Sequence, residues 1–373
     1  MFLLPSLSGG GAERAVVNML GPLSKSGHRI TLVLGVRQGA FLEDVPKDVE
    51  LISLDRPRSS QRLFPLVRLL RERRPDVLLS TLQQNNLIAM WAKLLAGVDT
   101  RIILRQGTPF TERQIGPAAT ILDRISTSLY WMFYPKADAF IATSHGVADD
   151  LVNNVGVPRD KIRLIYNGVI APDFFTRAEE DVSHPFFAKD GPPVFLGVGR
   201  LTPEKGFATL IDAFAEYRRS APAKLVFLGE GPLRETLEQR CASRGVAADV
   251  AFLGFQRNPY AYMRRATALV VASLYEGFGN VLAEALALGT FTISTDCPSG
   301  PADILDRGRF GLLVPVGDSA AMADAMRKAT AQRAPFPGQQ DWARQFTVEY
   351  AAERYEAVIG EVTGRSVSPA VGA

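Results

Sequence analysis

Short apolar runs alternate along the chain with longer stretches in which apolar residues recur every three to four positions. Phe2–Pro5, Ile30–Leu34, Val77–Ser80, Arg101–Leu104, Ala139–Ala142 and Ile162–Ile165 read as strands, with helical segments such as Glu13–Ser26 and Pro65–Arg73 between them. A polar, proline-containing stretch from about Ala171 to Pro193 interrupts this pattern. It then restarts with Val194–Val198, Lys224–Leu228, Val250–Leu253, Ala268–Ala272, Phe291–Ser294 and Leu312–Val314. Strand–helix alternation run through twice predicts an α/β protein of two Rossmann-like parallel-sheet domains. The expected division is 1–170 and 171–344, followed by a small-residue polar tail over 363–373 that reads as flexible. In such sheets ligands bind at the carboxyl ends of strands, so the cleft between the two domains is the expected active site. The first apolar run, Met1–Pro5, is short for a strand and predicts a native start a few residues upstream.

Length and charge refine this picture. The 373 residues fit two domains of about 150 each, and 47% hydrophobic content is ample for two cores. Net charge is only +3, but residues 1–170 hold 21 basic and 15 acidic residues against 21 and 24 in the remainder. A basic first half points to an anionic partner there, set against ordinary surface variation. Seven arginines fall between Arg56 and Arg74, interleaved with Leu63, Phe64, Leu66, Val67, Leu69 and Leu70. The apolar residues read as the sheet-facing side of an ordinary helix. The arginine excess reads as an anionic membrane surface contact. A nucleic-acid reading is weaker, because Phe64 is a single aromatic and no nucleic-acid-binding fold signature is present. Pro117–Tyr134 is unusually apolar and reads as core or as a wall for a lipid acceptor.

Cys241 and Cys297 have neither metal-ligand spacing nor the number for a disulfide framework, which fits a reducing cytoplasm. No apolar run approaches the ~18 residues of a membrane span, and no signal peptide is visible.

The chemistry concentrates in glycine loops at predicted strand ends. Tyr275-Glu276-Gly277-Phe278-Gly279-Asn280-Val281-Leu282-Ala283-Glu284 follows the run Ala268–Ser273 and enters a helix-compatible stretch, Asn280–Leu288. A strand, glycine turn and helix set free helix N–H groups beside a carboxylate. Amides of that kind hold a phosphate, and carboxylates hold a polyhydroxyl group. Together they suggest a nucleotide sugar.

Gly197–Gly206 places Arg200 and Lys205 five residues apart in the loop opening the second domain. Two cations there can balance charge on a departing diphosphate, although arginine–lysine loops are also common on solvated surfaces. Gly9-Gly10-Gly11-Ala12-Glu13 follows the first strand and reads either as a diphosphate-approaching loop or as a plain tight turn. A dinucleotide fingerprint would need spaced glycines and an acid after the second strand. That strand ends Leu34-Gly35-Val36-Arg37, which disfavours NAD and leaves only a slight NADP reading through Arg37.

Asp-x-Asp occurs nowhere in the sequence, so a divalent metal is not expected to hold the diphosphate. Glu276 and Glu284 have no third ligand in view. Of the three histidines, His28 and His184 read as surface residues, while His145, following Ile141–Ser144, stands at a strand end facing the expected cleft.

Taken together these motifs resemble the retaining glycosyltransferases of family 4, whose fold is GT-B, and the resemblance spans nearly the whole chain. It rests on Ser8–Arg14, on Gly199-Arg200-Leu201 with Lys205-Gly206, on Gly229-Glu230-Gly231-Pro232, and on Glu276–Glu284. Ser299-Gly300-Pro301-Ala302-Asp303-Ile304-Leu305 looks like members that build bacterial surface polysaccharides and lipid-linked oligosaccharides.

The resemblance implies that Glu276 binds donor-sugar hydroxyls, Glu284 the ribose, and Arg200 and Lys205 the diphosphate. Phe278, Gly279 and Asn280 would offer backbone N–H groups, Gly10 and Gly11 would touch the diphosphate from the first domain, and Gly254 and Phe255 would lie near the base. A C-terminal helix over about 345–362 would return to complete the first domain. Many relatives carry a histidine after the fourth strand, where Leu104-Arg105-Gln106-Gly107-Thr108 has Gly107 instead. Arg105, Gln106 and Thr108, with His145, then become candidates for the acceptor side.

The expectation is a cytoplasmic, metal-independent enzyme without a cofactor. It moves a hexose or N-acetylhexosamine from a UDP-sugar to a lipid-linked or growing surface glycan. It touches the inner face of the plasma membrane peripherally and binds no nucleic acid. Two other readings are a UDP-sugar 2-epimerase, for which no convincing acid/base set is present, and a non-catalytic nucleotide-sugar-binding subunit.

Overall fold

The computed structural model describes every residue except Gly9, 111–128, 333–335 and 366–373. Most of the apolar stretch 117–134 and nearly all of the tail therefore lie outside the described residues. The chain divides into two compact units, Met1–Val169 with Gln345–Ala373, and Ile170–Arg344.

The first unit holds seven parallel strands in the order β3-β2-β1-β4-β5-β6-β7. They are β1 (Phe2–Leu4), β2 (Thr31–Leu34), β3 (Glu50–Ser53), β4 (Val77–Thr81), β5 (Arg101–Gln106), β6 (Ala139–Ala142) and β7 (Ile162–Leu164). Every residue of β4 and β6 is buried, as is all of β5 beyond Arg101. Strands covered on both faces read as continuous apolar runs, which is why these were visible in the sequence. β3 was not. It is an edge strand paired only with β2, with Glu50 exposed and Leu51–Ser53 half-buried, so it carries no apolar run. β1 has only three residues but lies between β2 and β4, with Phe2, Leu3 and Leu4 all buried.

Helices α1 (Gly11–Lys25), α2 (Leu63–Arg73), α3 (Gln83–Ala96) and α4 (His145–Val155) cover this sheet. The C-terminal helix, Val348–Thr363, packs on α1. Val169 N donates to Phe346 O at 2.9 Å, and Asn18 Nδ2 donates to Gly168 O at 3.1 Å. A Cβ on Gly168 would lie 2.8 Å from Val348 Cα, so glycine is required for that helix to seat.

The arginine excess around α2 has partly a structural cause. Arg62 is buried and donates to Arg56 O (2.9 Å), to Pro57 O and to Asn85 Oδ1 (2.8 Å). Arg71 donates to Leu95 O (2.8 Å) and Ala96 O (3.3 Å), closing carbonyls at the end of α3. Arg68 and Arg73 pair with Glu72 and Glu50. Arg56, Arg58 and Arg74 are exposed, as are Phe64 and Leu94.

The second unit repeats the plan with six parallel strands ordered β10-β9-β8-β11-β12-β13. They are β8 (Val194–Val198), β9 (Lys224–Leu228), β10 (Val250–Phe252), β11 (Ala268–Val271), β12 (Phe291–Thr295) and β13 (Leu312–Val314). Phe195, Phe214, Phe227, Val270 and Ile293 are central to its core. Helix α5 (Phe207–Arg218) follows β8, and α6 (Asn280–Ala287) follows β11.

Candidate active site

In the second unit the strand-end loops are locked to one another by backbone. The loop after β8 makes a 3-10 turn over Pro203–Lys205 and ends in Gly206, which has φ +61°. A Cβ at Gly206 would run into the Ala272 carbonyl, so only glycine lets this loop press against the end of β11. Leu274 N donates to Glu204 O at 2.8 Å and fixes the same contact from the other side.

The result is a tight polar cluster. Lys205 Nζ lies 2.6 Å from Glu276 Oε1, and Ser273 Oγ donates to that same oxygen at 2.7 Å. The two charged side chains are 22% and 11% exposed, a setting where an ion pair is only weakly screened by water. Ser273 is held in turn, because Thr295 Oγ1 donates to its carbonyl at 2.6 Å. Arg200 stands apart from this cluster, 73% exposed and 3.5 Å from Glu204. Burial alone would push the Glu204 carboxyl up; the Thr202 hydroxyl and the nearby Arg200 and Lys205 charges hold it below the usual range.

Helix α6 starts against the same cluster. Gly279, at φ +96°, is its N-cap and Asn280 its first residue, while Phe278 just before it is buried. A Cβ on Gly300 would strike the Phe278 carbonyl, so the Ser299–Pro301 loop supports the Phe278–Asn280 turn from behind. Glu284, one turn into α6, is 5% exposed. Cys297 lies close enough to Glu276 for its charge to act, and burial with that charge pushes its thiol up to about 12, so it stays protonated. Toward β9 and β10, Gly229 N donates to Gly254 O at 2.7 Å, and Phe255 projects into solvent. Phe255 N approaches Glu230 Oε1 at 3.5 Å.

The candidates in the first unit are arranged differently. Gly10 is the N-cap of α1 and Gly11 its first residue. Arg105 is enclosed rather than displayed. Its guanidinium donates to Thr81 Oγ1 (3.1 Å) and Asn167 Oδ1 and meets the Tyr355 hydroxyl, so it links β4, β5 and the C-terminal helix. Gln106 is buried, with Nε2 donating to Thr108 O at 2.7 Å, and Thr108 is exposed. His145 is exposed at the first position of α4, after the N-cap Ser144.

The structure thus brings Lys205 and Glu276 together and adds Ser273, Thr295 and Cys297, which local sequence gave no reason to choose. Chemically, the cluster offers a carboxylate for hydroxyl groups and an ammonium for an anion, with the start of α6 four residues after Glu276. Among the described residues, no group of three or more His, Cys, Asp or Glu stands in metal-binding geometry.

Two parallel-sheet units of this strand order, one with such loops at its strand ends, define the GT-B fold of glycosyltransferases. Residues 9–171 match the family model described as Glycosyltransferase Family 4, and residues 179–345 match that described as Glycosyl transferases group 1. A Campylobacter jejuni protein named N-acetylgalactosamine-N,N'-diacetylbacillosaminyl-diphospho-undecaprenol 4-alpha-N-acetylgalactosaminyltransferase is 31% identical over 333 residues, 86% of this chain and 87% of that protein. The lipopolysaccharide core biosynthesis glycosyltransferase LpsE of Rhizobium meliloti is 27% identical and covers 97% of this chain and 94% of its own. The crystal structure of Anabaena Alr3699/HepE in complex with UDP and glucose shares the fold, with TM-score 0.76 at 21% identity over 96% of this chain and 98% of that one. The chain belongs to the family 4 glycosyltransferases.

Proposed function

We propose that this glycosyltransferase moves a hexose or N-acetylhexosamine from a UDP-sugar to a lipid-linked or growing surface glycan, with retention and without a metal ion. The observation that carries the reading is the Lys205–Glu276–Ser273 cluster at the carboxyl ends of β8 and β11. When donor binds, Lys205 exchanges Glu276 for the diphosphate, and the released carboxylate takes sugar hydroxyls. Arg200, exposed and on the same loop, adds the second positive charge. The N–H groups of Phe278, Gly279 and Asn280 face the sugar and phosphate, and Glu284 takes the ribose. Gly254 and Phe255 take the base, and Gly10 and Gly11 approach the diphosphate from the first unit.

In the transfer step, the bond from the anomeric carbon to the diphosphate oxygen breaks. A bond to the acceptor hydroxyl forms on the same face of the sugar. The leaving phosphate oxygen takes the acceptor proton. Positive charge near that oxygen lowers the barrier. The names of the Campylobacter and Rhizobium relatives support a lipid-linked or lipopolysaccharide acceptor, and the Anabaena complex supports UDP.

We further propose that the first unit carries the acceptor and meets an anionic membrane surface through Arg56, Arg58, Arg74, Phe64 and Leu94. Among the described residues no helix is long and apolar enough to cross a membrane. The experiment is a nucleotide-sugar panel scored for transfer, hydrolysis and isomerisation of the donor. Transfer or hydrolysis of a UDP-sugar is expected. Isomerisation without transfer, or binding without turnover, would replace this reading.

A further inference from the structure

The carboxyl ends of β4 and β5 present buried neutral groups with unused hydrogen-bonding capacity. Register pairs Ser80 with Leu104 and Thr81 with Arg105. Ser80, Leu104 and Gln106 therefore share the sheet face on which α3 packs, while Thr81 and Arg105 point the other way. Asn86 Nδ2 donates to Arg105 O at 3.2 Å and holds the first turn of α3 against the end of β5. On this face Ser80, Gln83 and Gln106 are 0%, 6% and 2% exposed. Each leaves a buried polar atom without a partner: Ser80 Oγ, Gln83 Nε2 and Gln106 Oε1; on the same turn of α3, Asn85 Nδ2 and Asn86 Oδ1 add a further donor and acceptor of this kind. Such atoms are rare in folded proteins because they forfeit their bonds to water. Such atoms at the ends of β4 and β5 and at the start of α3, where parallel sheets bind ligands, mark a site that a ligand completes.

The chemistry of the three atoms selects the ligand. Gln83 Nε2 donates, Gln106 Oε1 accepts and Ser80 Oγ does either. An anion would call for donors alone, so the complement is neutral and both gives and takes a hydrogen bond. A secondary amide, with one N–H and one C=O, matches that set. Gln106 Nε2 also draws down the exposed Thr108 through its carbonyl, with side-chain-free Gly107 between them. Releasing that one bond frees the Gln106 Nε2 to donate elsewhere.

We propose that Gln83, Gln106 and Ser80 form a recognition site for the acetamido group of an acceptor sugar. This rests on the reading that the first unit carries a glycan acceptor. The test uses the full chain and two probes, N-acetylgalactosamine and galactose, titrated by ligand-observed NMR with UDP binding measured in parallel. The acetamido sugar is expected to bind at least about tenfold more tightly. Gln106→Leu is expected to erase that preference, leave UDP binding unchanged, and leave Tm nearly unchanged, since a buried amide oxygen without a partner is removed together with the one bond from Nε2 to Thr108 O.

Equal binding of the two sugars, a preference that survives Gln106→Leu, or loss of UDP binding in the variant overturns the proposal. If Gln106→Leu does not fold, Gln83→Leu is read by the same titration. Wild-type protein that neither binds nor turns over UDP-sugars would refute the proposed function instead, while the acetamido preference is still decided by its own titration.

Discussion

The two units share strand order and differ in what stands at their strand ends. In the second, charges are paired across glycine loops: Lys205 on Glu276, with Ser273 completing the carboxylate. In the first, the ends of β4 and β5 hold amides and a hydroxyl with unused capacity, and Arg105 is enclosed among Thr81, Asn167 and Tyr355. On the proposed function, the sheet that grips a charged donor keeps its ions held ready by one another, and the sheet that selects a neutral hydroxyl-rich partner has neutral groups in wait. The same backbone plan supplies the platform in both cases and dictates neither chemistry.

The strongest way to break this contrast is Glu276→Gln. Transfer is expected to fall by about 10²–10³-fold in kcat with Tm nearly unchanged, a range set by the loss of one fixed electrostatic contact; turnover close to wild type would remove Glu276 from the site. Lys205→Met leaves a largely buried carboxylate without its cation. It is expected to weaken UDP-sugar binding about tenfold or more and to lower stability by about 1–3 kcal/mol, less than for a fully buried pair because Lys205 is partly exposed. Calorimetric titration with UDP and a denaturant melt read both effects, and unchanged stability would mean the pair does not form in solution.

Gly206→Ala tests the backbone lock. Its left-handed φ and the Ala272 carbonyl predict a loss of about 1–3 kcal/mol and weaker donor binding, without any change of charge. A melt at wild-type temperature would show that the loop relaxes freely.

Two smaller effects sharpen the comparison. Burial pushes the Asp212 and Asp249 carboxyls up, but Arg240 and Arg244 on the first, and Lys224 and Arg218 on the second, hold both below the usual range. A depressed folded-state pKa gives stability that is full above the unfolded value, 3.8 here, and is lost as pH falls through the folded one. In the first unit Asp138 is held down in the same way, by Ile102 N, Lys93 and Arg101. Below about pH 4 hydrogen exchange is therefore expected to rise first in second-unit peptides; first-unit peptides opening earlier would reverse the assignment. Finally, burial raises the thiols of Cys241 and Cys297 to about 11 and about 12, so a thiol reagent at pH 8 should label neither until the chain unfolds.

What the sequence revealed follows from range. β4, β5, β8 and β11 were legible because strands buried on both faces are continuous apolar runs. β3 was not, since Glu50 and Ser53 at a sheet edge break the run. Arg200, Lys205, Glu276 and Glu284 were proposed from sequence because they lie in or beside compact glycine-rich segments; the structure leaves Arg200 apart and pairs Lys205 with Glu276. Ser273, Thr295 and Cys297 join them only through the packing of neighbouring strand ends, which no local pattern records. Gln83-Gln84-Asn85-Asn86 resembles any polar helix start, and only the fold shows that Gln83, Asn85 and Asn86 are buried.

The return of the C-terminal helix to α1 has a consequence for how the protein is made. Residues 170–344 form an uninterrupted unit, whereas the first unit needs the helix 348–363 to cover α1. On the ribosome the usual order, N-terminal domain first, cannot be completed here. The second unit has all of its chain before the first does, and the face of α1 with its Gly168 seat waits until the helix 348–363 is made. A chain stalled before that helix would therefore hold a finished second unit joined to an unfinished first one, and quality-control proteases would meet the N-terminal part first.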